Sequence, residues 1–419
     1  MKPFPRGALR FLLWVCALTA TASGSDWPQW RGPARDGVAA AGSPAPNSLS
    51  PEPKVLWRKK VGGGHSSPVI ARGTLVYLDE DGANETAHAL DAATGKELWA
   101  LPFATMFHDE WGAGPRSTPI IDGERVYVQS CNGEFRCLGL ADGHPIWKTS
   151  FEKDFGVVFL GSKANEGTAA RRGNNGSGVI DGERIILPVG STNGASLVCF
   201  DKRTGTVIWK SQDDEAAYSS LMAATLAGIK QVVAFTAEGL MGVELQNGKF
   251  LWSVPLKTNA KRHAATPVII GDTILVNSHT IGLVCLKIEK DGDGQKAKEA
   301  WVNKDLRINL ATPVVVGQHL YSHGPAQNFV CIDSRTGKEM WRHDGFGKEY
   351  SSTIALGKNL LVLTDMGELV LVAADSSQYK ELARRQVCGK TWSFPAYIDG
   401  KLYVRDGREL ICLDLLPLD

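Results

Sequence analysis

Few residues in this 419-residue sequence stand in a spacing that chemistry would require. Eight cysteines are present, but no Cys-x-x-Cys, so a zinc site or a thiol–disulfide exchange centre has no basis in the sequence. His108-Asp109-Glu110 lacks the second histidine of a helical zinc motif. Asp291-Gly-Asp293-Gly-Gln295 alternates oxygen side chains like the opening of a calcium loop. Val302 stands where the closing glutamate belongs, so the segment reads as a hairpin turn. There is no Gly-x-Ser-x-Gly elbow and no phosphate-binding loop. No catalytic residue and no metal ligand is assigned on these grounds. A different set suits recognition. His65, Arg116, Asn175 and Tyr218 each fall three residues before the same landmark in a repeated pattern, as do Tyr350 and Trp392. Ala264 and Leu310 hold that place in two further copies, preceded by His263 and Asn309. Aromatic, amide and cationic groups converging on one mouth would suit a small molecule or a peptide. The Phe107–Trp111 stretch and the 163–175 loop, with Arg171 and Arg172, are placed to cap that mouth. Two arginines beside a Gly/Asn-rich turn could hold an anion or simply be solvated.

The elements that must position these residues repeat along the chain. Gly-x-x-apolar-Trp occurs as Gly95-Lys-Glu-Leu-Trp99, Gly143-His-Pro-Ile-Trp147, Gly205-Thr-Val-Ile-Trp209, Gly248-Lys-Phe-Leu-Trp252 and Gly337-Lys-Glu-Met-Trp341. Trp301 ends a copy with a longer turn, and Trp57 lies one period before Trp99. Ahead of each comes a small hydroxyl residue and proline, as at Ser67-Pro68, Thr118-Pro119, Thr266-Pro267 and Thr312-Pro313. From Pro68 to Pro395 the period is about 47 residues. Within each unit short apolar runs flank tight turns such as Asp122-Gly123, a strong hairpin signal. A third run ends in Asp, as at Asp91, Asp201 and Asp333. A Thr-Gly turn and a fourth run ending in Trp follow. Four strands per unit and eight units predict an all-β, eight-bladed β-propeller of antiparallel blades, with seven blades as the rival count. The last unit has three strands, so Val55-Leu56-Trp57 is expected to supply its fourth and close the ring without an open edge. The tryptophans 57, 99, 147, 209, 252, 301 and 341 are expected to dock each blade on its neighbour. The third repeat carries extra length between residues 151 and 175.

The amino terminus has another character. Lys2, Arg6 and Arg10 precede an apolar run from Phe11 to Ala20 and a small-residue Ala20-Thr21-Ala22 site. That is the pattern of a secretory signal peptide over residues 1–22, too short in its apolar core for a membrane span. Val15 before Cys16 does not fit a lipoprotein signal. Residues 23–53 are read as an extension and linker, and 54–419 as the propeller. The protein is therefore expected to be exported, periplasmic or extracellular, and monomeric, with no transmembrane span. The formal charge of +1, about −2 after loss of residues 1–22, gives no global attraction to nucleic acid. Cys137, Cys199, Cys285, Cys331 and Cys412 occupy one repeat position, so they read as small buried residues rather than disulfide partners.

The core Ala89-Leu-Asp-x-x-Thr-Gly-Lys-x-Leu-Trp99, repeated at Cys199–Trp209 and Cys331–Trp341, resembles the PQQ-like β-propeller repeat family. The resemblance spans residues 54–415, and Asp26–Gly37 resembles the N-terminal signature of secreted bacterial members. It implies one of two kinds of protein. Quinoprotein dehydrogenases bind pyrroloquinoline quinone and calcium and oxidise alcohols or sugars. Non-catalytic members, BamB among them, act in outer-membrane assembly. The adjacent cysteines of the large dehydrogenases are missing here, and no Asp or Glu stands out as a base. The reading is therefore a non-catalytic binding or scaffold propeller of the cell envelope, with an envelope protein or a small ligand as partner and no cofactor. The alternative is a quinone- and Ca²⁺-dependent oxidoreductase.

Overall fold

A computed structural model describes residues 26–158, 172–258 and 261–416. The proposed signal peptide and Arg171 lie outside these residues. Eight four-stranded antiparallel sheets form the ring. The first blade comprises Val69–Ala71, Thr74–Asp81, Asn84–Asp91 and Glu97–Thr105, from channel to rim. Six more blades follow in chain order and span residues 120–150, 179–211, 222–255, 268–303, 314–344 and 351–386. The eighth contains Ala396–Ile398, Lys401–Arg405 and Glu409–Asp414. Its rim strand is Lys54–Lys60, paired antiparallel to Glu409–Asp414. The ring thus closes by mixing the two ends of the chain, as the three-stranded last repeat requires. In the third repeat the extra length begins with a short helix, Phe151–Phe155, capped by the Ser150 hydroxyl.

The blades hold together face to face. Seven apolar clusters are built almost entirely from facing surfaces of neighbouring blades. At the rim the repeat motif explains the docking. Gly95 takes φ 71°, and a Cβ there would come within 2.7 Å of the Trp57 ring. The Trp57 indole N–H donates to the Ala92 carbonyl at 3.1 Å, in the same turn. Only glycine permits both the left-handed turn and an indole lying against the backbone. Gly143 receives Trp99, Gly205 receives Trp147, and Gly248 receives Trp209 in the same way. Opposite these tryptophans on the neighbouring strand stand small residues, including Cys137, Cys199 and Cys412. All seven cysteines among the described residues are free thiols.

The fifth blade breaks the pattern with a physical reason. Its two outer strands, Gly282–Asp291 and Gly294–Asn303, form a long hairpin with no Thr-Gly turn to receive Trp252. Trp252 instead donates to Gln231 at 2.6 Å within its own blade. Gln231 then donates to Gln295 at 2.8 Å, on that hairpin. Asp291-Gly-Asp293 is the hairpin's turn, with Asp291 paired to Lys296. Trp301 still docks on Gly337, but its N–H finds no acceptor, whereas Trp341 donates to the Asp375 carbonyl.

Candidate functional site

The inner strands surround a channel, and the chain itself fills one end of it. Residues 26–53, assigned above to an extension and linker, enter beside the turn of the first blade, where Asp26 accepts from the Arg72 N–H. Trp27 bridges Ile70 through two backbone hydrogen bonds, and Pro28 accepts from Ile121. On the far side Val38 bridges Ala355. Between them the segment coils through left-handed residues at Arg31, Gly32, Arg35 and Gly37. A Cβ on Gly37 would come within 2.7 Å of Val314. This plug carries two buried cations, Arg31 at 1% and Arg35 at 3% exposure. Arg31 Nη2 donates to the carbonyls of Pro313 at 2.7 Å, Asp36 at 3.0 Å and Thr312 at 3.4 Å. Arg35 donates to Gln29 Oε1 and to the Ser177 carbonyl. Burial pushes the Arg31 pKa down to about 10 and that of Arg35 to about 9, so both stay charged at neutral pH. Carbonyl dipoles stabilise both, and the Asp36 charge adds to this at Arg31.

The other end of the channel is a mouth. Here the structure brings His65, Arg116, Asn175 and Tyr218 onto one cavity of about 210 Å³ together with Asn309, Tyr350 and Trp392. Ala264 and Leu310 line it as well. His263 is the departure. It is fully buried, stacks on Phe235 at 4.1 Å and shares a 2.6 Å hydrogen bond with the Thr236 carbonyl. Its side chain packs between blades, while Ala264 lines the cavity. The cavity floor is Trp30 of the plug, whose indole donates to Thr266 Oγ1 at 2.9 Å.

The Phe107–Trp111 stretch does reach this mouth. It forms a small hairpin of His108–Asp109 and Gly112–Ala113. Asp109, fully buried, receives Arg116 in a bidentate pair at 2.8 and 2.5 Å. Arg172 pairs with Glu110 at 2.8 Å and lies over the Trp111 ring. Trp111 in turn sits 5.4 Å from Trp392, and His65 lies 5.3 Å from Trp392. Arg172, Trp111, Trp392 and His65 therefore make a continuous wall. Burial, reinforced by the Arg116 charge, pulls the His65 pKa down to about 4, so its imidazole is neutral at pH 7. Behind the lid Glu85 is fully buried and accepts from the Phe107 N–H at 3.3 Å. Burial pushes its carboxyl up to about 8.

Sequence reasoning missed several lining residues. Thr118, Ser177 and Ser220 each stand two positions after a ring residue, so the two-residue spacing of an extended segment could have found them. Glu349 directly precedes Tyr350, and Arg262 lies two before Ala264. Trp30 carries no local signal, because it reaches the mouth from the plug.

The residues do not fit a calcium-bound quinone. Asp109 and Glu110 are held by arginines, which leaves Glu349 as the carboxylate lining the cavity. Among the described residues no three His, Cys, Asp or Glu side chains cluster closely enough to share a metal ion. Trp111 and Trp392 stand too close for a flat ring to enter between them.

Fold and site together define a self-plugged, single-mouthed eight-bladed propeller with a built aromatic cavity. Comparison with known proteins places it further. The family described as outer membrane protein assembly factor BamB matches residues 83–343, and the chain belongs to that family. BamB of Shewanella oneidensis is 23% identical over 388 residues, covering 87% of this chain and 89% of that protein. Among solved structures, BamB from Moraxella catarrhalis superposes with a TM-score of 0.56 at 12% identity, covering 85% of this chain and 98% of that one. A quinohemoprotein alcohol dehydrogenase from Pseudomonas putida superposes with a TM-score of 0.59 at 10% identity, covering 94% and 80%. At such identities these structures share the fold.

Proposed function

We propose that this protein is a non-catalytic binding propeller of the bacterial cell envelope, exported to the periplasmic side, that takes part in outer-membrane protein assembly. The observation that carries the reading is membership of the BamB family over 83–343, supported by a relative aligned over most of both chains. The site is consistent with binding rather than turnover. The lid carboxylates are neutralised by arginines, and the His65 imidazole, held near a pKa of 4, is a weak base at neutral pH. No helix among the described residues is long and apolar enough to cross a membrane. The rigid ring presents loops at two faces to partners, as a scaffold requires.

Deleting the gene in its host should lower the amount of folded outer-membrane β-barrel protein, and the full-length chain should restore it. Unchanged barrel levels, with dye-linked alcohol oxidation by the purified protein on addition of pyrroloquinoline quinone and Ca²⁺, would overturn the proposal in favour of an oxidoreductase.

A further inference from the structure

Three features of the mouth remain unused by a scaffold role. Arg116 and Arg172 each have a carboxylate partner, but Arg262, which lines the same cavity, has none among the described residues. Asn309 Oδ1 is buried at the cavity and receives no hydrogen bond. A buried acceptor without a donor is costly, and a ligand donor would relieve that cost. The wall of Trp111 and Trp392 offers apolar ring surface, with Trp111 40% exposed, yet their 5.4 Å spacing admits nothing between them. A ligand must therefore lie across the wall.

These features select a chemistry. An unpaired guanidinium asks for a carboxylate. An orphaned amide oxygen asks for an O–H or N–H donor. An aromatic wall that cannot be intercalated suits the C–H face of a saturated ring. The cavity, at about 210 Å³, is smaller than the roughly 300–1,000 Å³ of pockets that enclose a drug-sized ligand. It is open at the mouth, so it suits one ring at the end of a chain. A benzoate-like acid would satisfy Arg262 and leave Asn309 without a donor. A neutral sugar would do the reverse.

We propose that the mouth cavity binds a carboxylated sugar residue, a uronic-acid-type glycan end. Its ring lies on Trp392 and Trp111, its carboxylate meets Arg262, and a hydroxyl donates to Asn309 Oδ1. The inference rests on reading the mouth as a recognition site rather than a reaction centre. It is independent of the outer-membrane assembly role.

The test is titration of the purified full chain with glucuronate, glucose and benzoate, followed by tryptophan fluorescence and calorimetry. Glucuronate should bind with a Kd of about 1 mM or tighter, at least about tenfold better than either control. Arg262→Ala should weaken it about tenfold, the loss expected for one charge-assisted contact. Asn309→Ala should weaken it less, and Trp392→Phe should lower affinity while keeping the fold. Equal binding of glucose and glucuronate, equal binding of benzoate, no binding of glucuronate, or an Arg262→Ala titration like that of wild type would each overturn the proposal. Because binding is read on the isolated protein, a negative result leaves the barrel-assembly phenotype untouched. Restoration of that phenotype by Arg262→Ala would separate the two roles.

Discussion

The two ends of the channel use the same residue type in opposite ways. At the plugged end Arg31 and Arg35 are buried and donate to fixed carbonyls from the chain itself and from blades facing the channel. At the mouth Arg262 is half-buried and has no partner among the described residues, and Asn309 keeps a buried oxygen without a donor. The plug arginines are tied through their Nη atoms to fixed acceptors and so stitch structure together, although Nε of each finds no acceptor. An unsatisfied group in a lined cavity is kept at a cost and stands ready for a ligand. The contrast separates closure from recognition within one ring of similar blades.

The sharpest way to break the comparison is Arg31→Ala. It strips donors from three carbonyls around the channel, so urea unfolding should show a loss of about 3 kcal/mol. A loss below about 0.5 kcal/mol would mean that the plug rides on the ring without holding it.

Next in size is the lid's pH response. The Glu85 carboxyl has its pKa raised in the folded state, from 4.5 to about 8, so the native protein keeps a proton that the unfolded chain releases. Its contribution is complete below pH 4.5 and is lost as pH rises toward 8, at up to about 1.4 kcal/mol per pH unit. Glu85→Gln should flatten that slope in denaturation curves recorded from pH 5 to 8.5. An unchanged slope would show that Glu85 is ionised in its site.

His65 has the opposite sign. Its folded pKa is depressed from 6.5 to about 4, so the unfolded chain takes up the proton first. Stability is full above pH 6.5 and falls as pH drops toward 4, at up to about 1.4 kcal/mol per pH unit. His65→Gln should remove that acid-side loss, as read by thermal melts between pH 4 and 7. Smallest is Arg262→Ala, expected to change stability by less than about 0.5 kcal/mol, because no side-chain partner among the described residues is lost. A large destabilisation there would erase the distinction between the two ends.

Much of the architecture was legible before any coordinates. The glycine turn and the tryptophan four residues after its glycine are local signals with a steric cause, and they marked five of the eight blades. The ring of mouth residues was legible because equivalent positions in successive repeats, each in the segment leading into an inner strand, come to line one cavity. His263 was misplaced because the fifth copy offered two adjacent candidates, and its side chain packs between blades on Phe235. Thr118, Ser177 and Ser220 were within reach of the same rule. Trp252 could not have been anticipated, since its partner changes only when the long hairpin of the next blade removes the receiving glycine.

The sequence by itself determined four strands per unit and a closing strand around Val55–Trp57, and it favoured eight units over seven, because these follow from local turns, the repeat period and the need to leave no open edge. Only the tertiary structure decided that residues 26–39 plug the channel, that Trp30 floors the mouth, and that Arg262 lines it without a carboxylate partner among the described residues. Those outcomes depend on hydrogen bonds between residues as far apart as Arg31 and Pro313, and no local pattern encodes a carbonyl 282 residues away.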